Sequence, residues 1–184
     1  MIKLIDILNE IGDASAKKYK WTIDRGSTTP QEYANYMEFT TPQDITTYNF
    51  TTDKGTKYTV EMDYGWSDRY EGLIVDVNFW AHDEYGIDSE MSVTNLGEQY
   101  EIMATVTDIV ISWINEWDKH VPIGKVIIAP KSEEDEDTSF GNTTSKRGKM
   151  YALYIKNQLS KLDKPYRYRT FDDQFELYLP DLPA

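Results

Sequence analysis

The chain has 184 residues, with 32 acidic side chains against 19 basic ones, and a formal charge of −13. A polyanion of this kind is repelled by DNA, RNA and anionic membrane surfaces unless its few cations cluster. Cysteine is absent, which excludes disulfides, thiolate metal ligands and cysteine nucleophiles together.

Fourteen Tyr, five Trp and six Phe argue for a packed core rather than a disordered chain. At this length one domain, residues 1–184, is the expectation. No run reaches the ~18–20 apolar residues of a membrane span. The opening apolar residues are broken by Asp6, Glu10 and Asp13, so no secretory signal is expected. The reading is a soluble, non-secreted, non-membrane protein.

Residues 2–12 place Leu4, Ile5, Leu8 and Ile11 on one helical face, with Gly12 as a stop. Tyr19, Trp21 and Ile23 alternate with polar residues and predict a short strand over 19–24. Residues 25–47 hold Gly26, Pro30, Pro42 and many Thr, and read as a long connection with strand character at Tyr36–Phe39. Asp53-Lys54-Gly55-Thr56 is a hairpin turn. Beyond it Tyr58, Val60, Met62 and Tyr64 alternate with polar residues. A second polar turn is expected from Gly65 to Gly72. Leu73, Val75, Val77 and Phe79 then alternate with Asp76, Asn78 and Trp80. This is an antiparallel meander with one apolar face that needs a cover.

Residues 81–97 read as a connector. Met103, Val106, Val110, Trp113 and Trp117 recur at steps of three and four and predict a long amphipathic helix. The run at 125–129 is a short apolar strand that belongs inside the sheet. Residues 131–144 form a polar, mobile insert carrying the acidic run 133–137. A second helix from near Ser145 presents Tyr151, Ile155, Leu159 and Leu162 on one face. Residues 166–169 and 175–179 close the sheet as a pair around Asp172-Asp173. The fold class is therefore α+β, with a mixed, mainly antiparallel sheet of about five to seven strands.

Several side chains invite a functional reading. The acidic run lacks the alternating ligands and glycine of a Ca²⁺ loop, so no metal is expected. His82 and His120 are isolated from any Ser and Asp arrangement and read as structural. Trp66, Tyr70, Trp80 and Tyr85 gather around the meander with only Arg69 nearby, which suits packing or a protein interface better than nucleic acid. Arg147 and Tyr151 share a helix face at i, i+4.

The order of three antiparallel strands, helix, strand, helix and strands resembles the core of the GNAT-type N-acetyltransferases. In that family a turn before the first long helix offers backbone N–H groups to the coenzyme A pyrophosphate, in the pattern Gln or Arg, two residues, Gly, one residue, Gly or Ala. The matching stretch is Thr94-Asn95-Leu96-Gly97-Glu98-Gln99-Tyr100. The resemblance implies acetyl-CoA held at Leu96, Gly97, Glu98 and Arg147, with Tyr151 as general acid. Glu98 stands where the family has a small residue, and its carboxylate competes with phosphate for the helix start.

The chain is also similar to a group of small uncharacterised proteins of tailed bacteriophages. That likeness rests on Leu4 to Gly12, Thr94 to Gly97, Ala104-Thr105-Val106 and Ser145-x-Arg147-x-x-x-Tyr151. It implies a phage-encoded protein in the host cytoplasm or the virion. The leading expectation is a non-catalytic accessory protein without cofactor, acting through protein partners. The alternative is an acyl-CoA-dependent N-acyltransferase, and the third is an acidic inhibitor or DNA mimic acting on a host protein.

Overall fold

A long helix and a meander meet through their aromatic residues, and the sheet is built outward from that contact. The structure, a computed structural model, describes residues 17–24, 28–36, 43–82, 88–89, 98–128, 154–171 and 174–180. Its strands are β1 (Trp21–Asp24), β2 (Asp44–Thr51), β3 (Lys57–Ser67), β4 (Gly72–His82), β5 (Asp88–Ser89), β6 (Ile123–Ile128), β7 (Arg167–Phe171) and β8 (Gln174–Tyr178). The helices are α1 (Pro30–Tyr36) and α2 (Gln99–Trp117), followed later by a helical stretch at 154–158 and a 3-10 turn at Leu159–Lys161. Seven strands lie in the order β1-β2-β3-β4-β6-β8-β7, and β5 pairs with the end of β4. Among the described strands, β4 and β6 are the one neighbouring pair that runs parallel. The fold is α+β with a mostly antiparallel sheet.

The meander forms where the alternation demands it. Gly55 takes φ +88 in the first turn, where its N–H donates to the Thr52 carbonyl (3.0 Å). An L side chain is strained at that angle. Tyr58, Val60, Met62 and Tyr64 on β3, with Leu73, Val75 and Val77 on β4, are buried together. The second turn is shorter than the expected 65–72. β3 continues through Trp66 to Ser67, and residues 68–71 alone make the reversal. Trp66 keeps the apolar phase of β3 and packs against the core, which extends the strand.

Helix α2 covers this face. Met103, Val106, Val110, Trp113 and Trp117 are all buried, as their spacing predicts. Trp113 and Trp117 stack at 4.9 Å, and Tyr64 sits 5.4 and 4.4 Å from their rings. The second helix has its described part at 154–158, where Ile155 joins the core with Leu159 and Leu162. Asn115 fastens this segment to α2, its Nδ2 donating to the Lys161 carbonyl (2.8 Å) and its Oδ1 accepting from the Asp163 N–H (3.0 Å). The parallel β4–β6 pair follows the rule that strands joined through a helix run the same way. β7 also runs with β6, but β8 folds back between them.

The stretch 25–47 is not simply a connection. Pro30–Tyr36 is helical, and Tyr36 ends this helix instead of starting a strand. The signal is Thr29-Pro30-Gln31-Glu32, a capping box with proline at the first helical position. Thr29 Oγ1 accepts from the Glu32 N–H (3.3 Å), and the Thr29 N–H donates to Glu32 Oε2 (2.8 Å). The helix is retained because Tyr33 is fully buried, 5.5 Å from both Tyr64 and Trp117. The expected helix at 2–12, residues 37–39 and the insert 131–144 lie outside the described residues.

β4 and β6 approach closely where they begin. A Cβ on Gly72 would lie 2.6 Å from the Gly124 nitrogen, and one on Gly124 would lie 2.7 Å from Tyr70 Cβ. The Leu73 N–H donates to the Pro122 carbonyl (2.9 Å), and the register shifts between Leu73 and Ile74. Gly72→Ala is therefore expected to cost about 1–3 kcal/mol through forced backbone displacement. Trp113→Ala should cost about 3–5 kcal/mol through the cavity it leaves. Urea unfolding of each variant checks both figures.

Candidate functional site

Two places can carry function: the start of α2, where the acetyltransferase resemblance puts its cofactor, and the sheet face turned away from the helices.

At the start of α2, Glu98 precedes the first helical residue and is buried. Tyr19 OH donates to Glu98 Oε1 (3.0 Å). Burial first, then this bond and the charges of Glu98 and Glu101, push the Tyr19 hydroxyl up to about 12. The Tyr19 N–H donates to Thr105 Oγ1 (2.9 Å), whose own hydroxyl donates to the Glu101 carbonyl (2.7 Å). Lys18 pairs with Asp108, and Trp21 Nε1 donates to Asp108 Oδ2 (3.2 Å). Residues 18–21 thus lie strapped along the first turns of the helix. Carboxylates at a helix N-terminus satisfy the positive end of the dipole. Tyr154 is buried against Met103 and Ala104, and burial, followed by Tyr100 and Glu101, raises its hydroxyl to about 12. Its position was not singled out by the apolar spacing, which ran through Tyr151 and Ile155.

Of the residues the resemblance assigns, only Glu98 is described. Leu96, Gly97, Arg147 and Tyr151 lie outside the described residues, as do Tyr85, the acidic run 133–137 and the basic stretch 146–149.

The expected gathering of aromatics does not hold for the three that are described. Trp66 and Trp80 lie on opposite faces of the sheet, because the first shares the phase of Tyr64 and the second that of Asp76. Tyr70 belongs to the turn, with the Arg69 and Lys125 cations 5.4 and 5.6 Å from its ring. His82 Nε2 meets Thr59 Oγ1 (2.7 Å), and His120 Nδ1 meets Gln31 Oε1 (3.1 Å). Each histidine is held by a neutral partner.

The second place follows from sheet register. The residues of β2, β3, β4, β6, β8 and β7 that point away from α2 form one row across the sheet: Ile45, Asp63, Asp76, Ile127, Glu176 and Arg169. The neighbouring row on one side is Asp24, Thr47, Glu61 and Asn78. On the other it is Gly65, Ile74, Lys125, Tyr178 and Arg167. Asp76 is exposed although β4 is the central strand, and Ile45 is 43% exposed. The middle of this face is therefore open to water.

Asp24, Glu61, Asp63 and Asp76 stand with Lys57 on β1, β3 and β4, while Lys125, Arg167 and Arg169 on β6 and β7 flank Glu176 on β8. Asp63 and Asp76 are directly opposite across two strands, an unfavourable pairing for like charges. Partial desolvation by its neighbours, then the Asp63 charge, raises the Asp76 carboxyl above its ordinary value, and Lys125 opposes this. The Glu61 carboxyl is raised in the same way by burial and Asp63. Glu176 behaves oppositely. Burial alone would raise it, but hydrogen bonds and charge from Lys125 and Arg169 outweigh that and hold it below the usual range. At 4% exposure it is a buried carboxylate between two cations.

No group of three or more His, Asp or Glu that could hold a metal occurs among the described residues. No described helix is long and apolar enough to cross a membrane. Comparison with known proteins finds no matching family model, curated protein or solved structure.

A raised carboxyl penalises the folded state at neutral pH, and the penalty fades as pH falls through its folded-state value. A lowered one stabilises at neutral pH and loses that contribution as pH falls through its own depressed value. Asp76→Asn should therefore stabilise slightly at pH 7, within the ~0.5 kcal/mol typical of exposed sites, and the gain should vanish toward pH 4. Glu176→Gln should destabilise at pH 7 and lose its effect only at more acidic pH. Thermal melts from pH 3 to 8 check both signs.

Proposed function

We propose that this chain is a non-catalytic, phage-encoded accessory protein that works through protein–protein contacts in the host cytoplasm or the virion. The observation that carries this reading is the start of α2. Buried Glu98, bound by Tyr19, and Glu101 in the first turn already supply negative charge there. A pyrophosphate entering the same place would meet carboxylates, and like charges in a poorly solvated site repel strongly. The open sheet face, with Asp76 and Ile45 reaching water, supports the contact reading. The likeness to small phage proteins supports the origin.

The alternative, an N-acyltransferase of GNAT-like layout, draws support from the three antiparallel strands β2 to β4, the helix α2 and the parallel strand β6. It would place acetyl-CoA at Leu96–Glu98 and use Tyr151 as acid. A DNA-mimicking role finds less support, because cations share the open face with the carboxylates.

Calorimetric titration with acetyl-CoA separates the readings. The contact reading expects no saturable heat and no rise in melting temperature. Saturable micromolar binding that Gly97→Val removes would overturn it in favour of the acyltransferase. Affinity capture from phage-infected lysate should recover a specific partner, and recovery of none would count against the contact reading.

A further inference from the structure

We infer that the outer edge of β7 receives an extended acidic segment of a partner protein as an added strand, paired backbone to backbone. The inference rests on the protein-contact reading and names the partner's chemistry.

Among the described strands β7 is an edge of the sheet, paired on one side by β8. Phe171 pairs with Gln174 across two intervening residues. The closing pair of such a hairpin is hydrogen-bonded, and hydrogen-bonded pairs alternate along the strands. Arg167, Arg169 and Phe171 therefore bond to β8 through their backbone, while Tyr168 and Thr170 turn their N–H and C=O groups outward. Both of these residues are exposed, Tyr168 by 37%. An exposed row of backbone donors and acceptors is a template for another strand.

Charge says which kind of strand. The stretch 154–171 holds Lys156, Lys161, Lys164, Arg167 and Arg169 against the carboxylate of Asp163, in a chain of net charge −13. Lys164 is taken by Asp118 and Arg169 by Glu176. Lys156, Lys161 and Arg167 are exposed and make no ion pair with a described residue. Two of these flank the edge from opposite faces. Lys156 Nζ lies 5.8 Å from the Tyr168 ring on the helix side, where Tyr168 stacks on Phe175 at 5.5 Å. Arg167 stands on the open face, in the row of Tyr178 and Lys125.

Side chains of an added strand alternate between the two faces. Carboxylates on the open side meet Arg167, and the residues between them lie beside the Tyr168 ring and Lys156. Asp172 and Asp173 follow Phe171 in the sequence, so the carboxylates belong at the Arg167 end. The charge of the rest of the chain opposes this little, because charges beyond ~8 Å are screened at physiological salt. β7 of a second copy fits less well. Pairing β7 with itself about Arg169 sets the two Arg169 side chains opposite each other, and like charges there destabilise.

Fluorescence anisotropy and amide exchange test this together. The probe is a labelled seven-residue peptide alternating Glu and Val. Its dissociation constant should be on the order of 100 µM, as suits so small an interface. At about 2 mM peptide, exchange at the Tyr168 and Thr170 amides should slow about tenfold, while Arg169, already bonded to β8, should be unchanged. Arg167→Glu should weaken binding about fivefold, the upper range for one exposed ion pair. Thr170→Pro should abolish it, since proline removes an outward N–H and is tolerated on an edge strand. Circular dichroism checks that each variant is folded. If the proline variant unfolds, Arg167→Glu and the exchange pattern decide. Absence of binding overturns the inference, as does binding that leaves Tyr168 and Thr170 exchange unchanged. An oligothymidylate that binds more tightly than the peptide, whether or not Thr170 is replaced, overturns it in favour of nucleic acid. A peptide-free dimer that Thr170→Pro dissolves overturns it in favour of a second copy. If the peptide fails but a specific partner is still captured from infected lysate, only the edge docking falls. If both fail, the contact reading falls as well.

Discussion

The contact of Tyr64 with Trp113 and Trp117 is what the rest of the structure depends on. It joins the meander to helix α2 at ring separations of 5.4 and 4.4 Å. Tyr33 completes the group from α1, and Asn115, two residues beyond Trp113, holds the segment that leads to β7. Aromatic groups of this size carry a large share of core energy and adopt tilted geometries. A sheet gripped through one aromatic column takes its helices on one side. The described residues follow that plan, and Asp76 on the central strand reaches water from the other side.

That one-sidedness gives the open face its character. Its residues alternate out of phase with the core, and Ile45, Ile74 and Ile127 stand there among the charges. The antiparallel half, β1 to β4, displays four carboxylates and, at the start of β3, Lys57, whereas β6 and β7 display cations around the buried Glu176. The mutual repulsion of Asp63 and Asp76 is tolerated because water reaches them and the stability comes from the opposite face. The start of α2 shows the contrasting use of charge. There Glu98 and Glu101 sit at the positive end of the helix, and Tyr19 ties the strand leader to them.

Much of this was legible before any coordinates. Period-two alternation marked β3 and β4, and period-3.6 spacing marked α2, because each element buries one continuous stripe. The brief run at 125–129 was placed inside the sheet correctly, since both its neighbours are strands. Helix α1 was missed because threonines and prolines outweighed its capping box, and seven residues give too short a stripe to register as periodicity. The aromatics near the meander were grouped by sequence distance, but strand phase puts Trp66 and Trp80 on opposite faces. Which charges share the open face was not legible either. It depends on cross-strand register and on β8 lying between β6 and β7, and neither leaves a trace in local spacing.

The most direct test of a sheet covered on one side only is carboxyl footprinting with a carbodiimide and a small amine. In dilute protein Asp76 should label readily and Glu176 should resist. Labelling of Asp76 as slow as that of Glu176 in dilute protein would contradict the account, because it would mean that the central strand is covered on both faces.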